Sequence, residues 1–224
     1  MSNFVKIIAF DLETTGLDAS KEEIIELGAI MFSVKENRGR IVPDELEEFQ
    51  YLLKTSKRIS TEAANINHIT NEMLSTASTP VEVLQKFKIF CDKANCLVAH
   101  NAAFDTSFLN AAYGKHLVTA PALPILDSMK IARNIIQLPN YKLGNIAKAF
   151  EGRNEISLKI KDDSMHRAVY DCEMLMHILI ALLRGRFSLE EWAEQEFLRA
   201  LKKKGIHQDS MQIKPIKPKV SGLF

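Results

Sequence analysis

The sequence predicts a mixed α/β domain, a central sheet flanked by helices. Two observations lead to that reading. Three apolar, β-rich runs separated by turn residues occupy the first 53 positions, and from Thr79 to Leu183 helical periodicity alternates with short buried-strand patterns. Size agrees: 224 residues, 46% hydrophobic and 25% charged, suit one globular domain that can bury a sizeable core.

Taken in order, Val5 to Phe10 is an apolar run that ends in Asp11-Leu12-Glu13, and Thr14-Thr15-Gly16 breaks it as a strand leading into a turn would. Apolar character resumes from Ile24 to Val34 around Gly28, and Phe49 to Leu53 gives a weaker third strand. A three-strand meander is the simplest arrangement. From Ser60 the pattern becomes helical. Thr79-Pro80 reads as an N-cap with proline at the first helical position, and Val83, Leu84, Phe87 and Phe90 share one face of that helix. Cys96 to Ala99 is a short buried strand, followed by His100-Asn101 and a helix carrying Phe104, Phe108, Leu109 and Ala112. Pro124 to Leu126 predicts another strand, leading into a helix from Asp127 or Ser128. Residues 143–150 form a short helix, and Arg153 to Ser164 is a polar loop. Ala168 to Leu183 reads as an amphipathic helix, with Val169, Cys172, Leu175, Leu179 and Leu182 near helical spacing. Residues 188–204 predict one more helix. The expected organisation is a domain over 1–184, an additional C-terminal helix over 185–204 and a basic, loosely ordered tail over 205–224.

Composition narrows the class. No run of about 18 apolar residues exists, so no membrane span is expected. Met1 to Lys6 lacks the basic-then-apolar layout of a signal peptide, and Cys91, Cys96 and Cys172 show no C-x-x-C spacing. Buried reduced thiols and a cytoplasmic location are the expectation. Net charge is +1, so global charge does not announce a nucleic-acid partner.

Asp11 and Glu13 are two apart on a strand, so their side chains leave the same face. Adjacent carboxylates repel unless a cation sits between them, which makes D-x-E before a glycine turn a plausible Mg²⁺ or Mn²⁺ seat. A solvated strand end bearing two acids is the alternative. Asp105 falls in the first turn of the helix after Cys96 to Ala99, where the helix dipole favours an acid and capping is the ordinary explanation. His166 and Asp171 are five apart, about 140° around a helix, so they meet at one site only if His166 precedes the helix. Asp171 then points inward on an apolar face, where a buried acid needs a partner such as a metal.

Together, D-x-E-T-T-G from Asp11, H-N-A-A-F-D from His100 and H-R-A-V-Y-D from His166 resemble, in order, the three exonuclease motifs of the DEDDh family, relatives of the bacterial polymerase III proofreading subunit. Ile66-Asn67-His68-Ile69-Thr70 is similar to that family's substrate-edge segment, and Leu126-Asp127-Ser128 to the stretch between its second and third motifs. Arg167 stands where the tyrosine subfamily would have Tyr. The resemblance spans roughly residues 5–183 and implies an RNase H-like fold and metal-dependent 3′–5′ exonuclease activity. By that resemblance Asp11, Glu13 and Asp171 ligate one of two divalent cations (Mg²⁺ or Mn²⁺), Asp11 bridges to the second, and Asp105 contacts them weakly or through water. His166 acts as base toward the attacking water, since an imidazole titrates near neutrality. Thr14, Thr15 and Gly16 lie beside the terminal nucleotide, with Leu17 as an apolar wedge against its base. His68 contacts phosphate or is structural, Asn101 orders the turn before Asp105, and Phe104 lies at the substrate. Phe108, one turn further, is core packing or a stacking surface.

The local likeness around Ala99 to Asp105 and His166 to Cys172 is to exodeoxyribonuclease X-like members, which favours the 3′ end of DNA, in proofreading or repair. An RNA 3′-trimming exoribonuclease and a polymerase accessory subunit acting mainly by binding are the alternatives. The second rests on the C-terminus: Arg199 to Phe224 holds seven Lys or Arg against one Asp, a balance of 7 − 1 = +6. Its final Leu223-Phe224 is weakly similar to sliding-clamp peptides, so polymerase or clamp contact through the tail is a further expectation.

Overall fold

Ile7-Ile8-Ala9-Phe10 is fully buried on both sides, as befits the middle of a sheet. In the computed structural model, which describes residues 4–152, 167–184 and 186–206, this run opens β1 (Ile7–Thr14) of a five-stranded sheet ordered β3-β2-β1-β4-β5. β2 (Ile24–Asn37) and β3 (Arg40–Leu52) complete an antiparallel meander, while β4 (Cys96–Ala99) and β5 (Ile125–Asp127) pair in parallel on the other side of β1. The expected mixed α/β class is therefore the observed one.

Three strands are longer than the sequence pattern predicts, β2 continuing from Val34 to Asn37. β1 continues through Thr14, so Asp11 and Glu13 lie within a paired strand, opposite Gly28 and Glu26 of β2. β3 begins at Arg40, well before the apolar Phe49–Leu53 run. It is an edge strand whose residues up to Glu48 are largely exposed, which erases alternation and admits Pro43, a residue without a backbone donor.

Alternation along β1 sorts the two layers. Ile8, Phe10 and Leu12 face α3 (Pro80–Cys91) and α4 (Ala102–His116), with Phe87 and Phe108 in the same cluster. Thr79 and Glu82 close a reciprocal capping box at the start of α3, an arrangement worth about 1 kcal/mol. Ile7 and Ala9 face α5 (Ser128–Ile135), α6 (Leu143–Glu151) and α7 (Ala168–Leu183). Two short helices, α1 (Thr61–Asn67) and α2 (Asn71–Ser75), cover Ile25 with Ile59, Ile69 and Leu74.

α7 has the predicted bounds, but it is buried on most of its circumference rather than on one stripe, because it lies on β1 and β2 and is covered in turn by α6 and the C-terminal segment. The single helix expected over 188–204 is instead a 3₁₀ turn (Glu190–Trp192) and α8 (Glu194–Lys203), with Ala193 extended between them at φ −67 and ψ 145. The cause is tertiary. Val5 N–H donates to the Trp192 carbonyl at 2.9 Å, Ala193 bridges Phe4, and the Trp192 ring stacks on Phe197 with centroids 5.0 Å apart. This segment thus closes over the start of β1.

The three cysteines are buried free thiols. Among the described residues, no helix is long and apolar enough to cross a membrane. The polar loop expected over 153–164, His166 and all of the tail beyond Ile206 lie outside the described residues.

Candidate active site

Asp11 and Glu13 continue the Ile7/Ala9 face of β1, the face covered by α7, so the first turn of α7 decides what they meet. That turn sits directly on β2. A Cβ on Gly28 would fall 2.5 Å from the Ala168 carbonyl carbon and 2.6 Å from Val169 N, so only glycine permits the approach. Cys172 Sγ donates to the Gly28 carbonyl at 3.3 Å. This docking brings in Asp171: carboxylate oxygens of Asp11, Glu13 and Asp171 all lie within 4.8 Å of one another.

Asp105 arrives from the other side of the sheet. Asn101 takes the left-handed conformation (φ 62, ψ 51), turning the chain from β4 into α4 without a side-chain cap of its own. Asparagine tolerates that backbone well, which is how Asn101 orders the turn. Four residues on, Asp105 is 2% exposed and accepts from the Leu12 backbone amide, between the two acids of β1. It braces the strand and adds a fourth charge to the group.

The electrostatics follow from this crowding. Burial, then the charges of Asp105, Asp171 and Glu13, raises the Asp11 carboxyl well above its ordinary range. Glu13 is pushed up to about 8 by burial first, then by Asp171, Glu26 and Asp105. Asp105 is also pushed up to about 8, mainly by burial, with the Leu12 amide opposing and Asp127 adding to the rise. Carboxylates that hold protons this firmly are poised to exchange them for a cation. An all-oxygen, all-carboxylate donor set fits a hard divalent ion such as Mg²⁺ or Mn²⁺.

The remaining predicted residues fall around this centre. Thr14 closes β1 and its hydroxyl donates to the Gly16 carbonyl at 2.7 Å; Thr15 donates to the Glu22 carboxylate and accepts from Glu23 N–H at 3.0 Å. The turn is therefore internally tied, and Leu17 projects from it at 87% exposure. Phe104 is half-buried, its ring 4.9 Å from that of Phe108, which is core as expected. His68 is exposed at the left-handed C-cap of α1, outside the carboxylate cluster.

Sequence reasoning passed over three contributors. Glu26 is fully buried on β2 and bonded to Arg167, Ala168 and Gln50. A lone acid inside Ile24-Ile25-Glu26-Leu27 was the available signal. Asp127, read as a helix start within the Leu126-Asp127-Ser128 stretch but given no role at the site, caps α5 through Met129 N at 3.0 Å and also presses its charge on Asp105. His100 bridges the Tyr141 carbonyl and Ser128 Oγ, both at 2.8 Å. A carbonyl only accepts, so Nε2 donates there and Nδ1 accepts from the serine, pinning the end of β4.

The chain is similar to known proteins over most of its length. The exonuclease family of the RNase T type matches residues 8–179. DNA polymerase III PolC-type of Streptococcus pyogenes serotype M18 is 36% identical over 180 residues, covering 79% of this chain and 11% of that protein. The PolC-type polymerase of Pediococcus pentosaceus is 33% identical over 189 residues, 83% of this chain and 12% of that protein. The chain thus spans about a tenth of the length of the curated relatives it matches. Among solved structures, Exonuclease X in complex with 5′ overhanging duplex DNA has a TM-score of 0.56 at 22% identity, covering 85% of this chain and 99% of that one. Exonuclease I gives 0.61 at 14% identity, covering 80% and 41%. The fold is RNase H-like, and the chain belongs to the exonuclease family, in its DEDDh branch.

Proposed function

We propose that this protein is a metal-dependent exonuclease that removes nucleoside monophosphates one at a time from the 3′ end of DNA, single-stranded or frayed. The observation that carries the reading is the meeting of Asp11, Glu13 and Asp171 within 4.8 Å, on a fold shared with exonucleases. Asp11, Glu13 and Asp171 would hold two divalent ions, Mg²⁺ or Mn²⁺, with Asp105 in weaker or water-mediated contact. Bound cations supply charge neutralisation at the scissile phosphate and a more acidic attacking water. His166 takes the proton from that water. The backbone of Thr14, Thr15 and Gly16 holds the terminal 3′-OH, Leu17 wedges against the last base, and Phe104 and Asn101 bound the opposite side. His68 reaches a phosphate. The N-termini of α4 and α7 lie at the carboxylates and favour an approaching phosphate through their dipoles.

DNA is favoured over RNA because the similar proteins are named for DNA polymerase and for a DNA complex. The same relatives favour one second reading, a proofreading module acting beside a polymerase, with 1–184 as its catalytic domain and the basic tail from 205 as a contact for polymerase or sliding clamp. The test is degradation of 5′-labelled DNA and RNA, single-stranded and duplex, by EDTA-stripped protein given back Mg²⁺ or Mn²⁺. A ladder shortening one nucleotide at a time from the 3′ end of DNA is expected. Internal cuts, loss of the 5′ label, or faster decay of RNA than DNA would each overturn the corresponding part.

A further inference from the structure

Glu26 is an acid with no exposed surface near the start of β2, directly opposite Glu13. A carboxylate so placed beside three others costs heavily unless something compensates it. Four donors do. Oε1 accepts from Gln50 Nε2 at 2.8 Å and Arg167 Nη2 at 2.9 Å; Oε2 accepts from Arg167 Nε at 3.3 Å and Ala168 N–H at 3.2 Å. The Ala168 amide is one of the unsatisfied donors that open α7, and Arg167, at the N-cap, has no side-chain cap bond of its own. Glu26 therefore caps α7 from a strand 141 residues earlier, while the guanidinium fork occupies both of its oxygens. The neighbouring Gly28 receives the same helix turn. On β1 the residues opposite these two are Glu13 and Asp11.

We propose that Glu26 and Arg167 form a positioning pair for the cation site: Glu26 fixes the rotation of α7 that carries Asp171 to Asp11 and Glu13, and Arg167 keeps the Glu26 carboxylate out of the ligand set. Arg167 also directly follows His166 in the chain. This inference rests on the cation-dependent reading above, and its test separates the two.

Mn²⁺ binding is measured by electron paramagnetic resonance in the full chain and in Glu26→Ala, Glu26→Gln, Arg167→Met and Arg167→Lys, alongside kcat and KM on single-stranded DNA. Amide exchange of Ala168–Asp171 is followed in each. For Glu26→Ala, Mn²⁺ affinity is expected to fall about tenfold or more, the range seen when partners behind metal ligands are removed. The loss should appear in kcat with KM little changed, and the α7 amides should exchange faster. Glu26→Gln keeps an acceptor for the Ala168 amide and should restore part of the loss, and Arg167→Lys should exceed Arg167→Met. Combining Glu26→Gln with Arg167→Met should recover activity over Arg167→Met alone, because no unpaired carboxylate is then left beside Glu13. If the variants lose thermal stability while Mn²⁺ affinity and kcat well below the melting point stay within about twofold of the parent, the pair is only structural and the proposal fails. Should Glu26→Ala not fold, Glu26→Gln and Arg167→Lys carry the same comparison. A parent chain that binds no Mn²⁺ overturns the proposed function, whereas the amide-exchange rates still decide whether Glu26 anchors α7.

Discussion

Glu13 keeps its proton to about pH 8 because burial and the Asp171 charge both act against its ionisation. Replacing Asp171 by Asn removes that charge at nearly constant volume. The expected result is loss of nuclease activity together with a gain of roughly 2–4 °C in melting temperature in EDTA, corresponding to about 1 kcal/mol in a chain of this size. A variant that is inactive and less stable would mean that Asp171 is held by attraction rather than repulsion. The same carboxylates set a pH dependence. Glu13 and Asp105 have ordinary values of 4.5 and 3.8 and folded values of about 8, so between those limits the folded chain binds more protons than the unfolded one. Their contribution to stability is therefore lost as pH rises toward 8. His100 and His177, lowered from 6.5 by burial, cost stability only on the acid side, and the three buried thiols, raised by burial, act only as pH enters the free-thiol range, so the interval from about pH 7 to 8 reports mainly the acids. Melting temperature in EDTA should fall across that interval, and the increment given by Mg²⁺ should grow as protons leave. His166 is tested differently: His166→Ala should lower kcat about 10²-fold with Mn²⁺ affinity intact. Lost Mn²⁺ binding would make it a ligand instead. The clustering of Asp11, Glu13 and Asp171 was legible because each sits in a short local motif. Glu26 and Arg167 were not, since their relation exists only after 141 residues of chain fold back.

At the scale of elements, the position of α7 against β2 matters most. Gly28 is the contact that allows it, so Gly28→Ala must push the first turn of α7 away from the sheet. Overpacking of this kind costs about 1–3 kcal/mol, readable as a lower urea midpoint, and should weaken Mn²⁺ binding as well because Asp171 moves with the helix. Unchanged Mn²⁺ affinity would show that the site tolerates helix displacement. Periodicity revealed α3 and α4, each of which packs an apolar face against the sheet, and the bounds of α7, though not its burial on most sides. It failed where tertiary contacts override local preference. Ala193 is a good helix former, yet the bridge to Phe4 and the stacking of Trp192 on Phe197 hold it extended. β3 was shortened in the reading because an exposed edge strand carries little hydrophobic signal.

For the whole molecule, the parallel set β1, β4 and β5 aims its carboxyl ends at one side; Asp11 lies just past the part of β1 that pairs with β4, and Asn101 and Asp127 lie at or just beyond the ends of β4 and β5. Crossover sheets of this type collect their sites there, which is why residues from distant motifs converge. Charge is distributed to match. With 29 Lys and Arg against 28 Asp and Glu, the molecule has no strong overall field for nucleic acid, and its site is acidic. On the proposed function, affinity for a DNA end comes from cations at the carboxylates and from the last few nucleotides rather than from a long basic groove. DNA binding measured with Asp171→Asn or in EDTA should be weak, and in the parent with a divalent cation its dependence on monovalent salt should be shallow. For a single strand each neutralised phosphate contributes about −0.7 to the slope of log K against log salt, so a value near −1 to −2 is expected, from two or three contacts. A slope steeper than about −4 would instead require six or more phosphate contacts. The basic segment from Arg199 to Phe224 is the charge reserve able to supply them; deleting residues 205–224 would then flatten the slope, and the main binding energy would belong to the C-terminus rather than to the catalytic end.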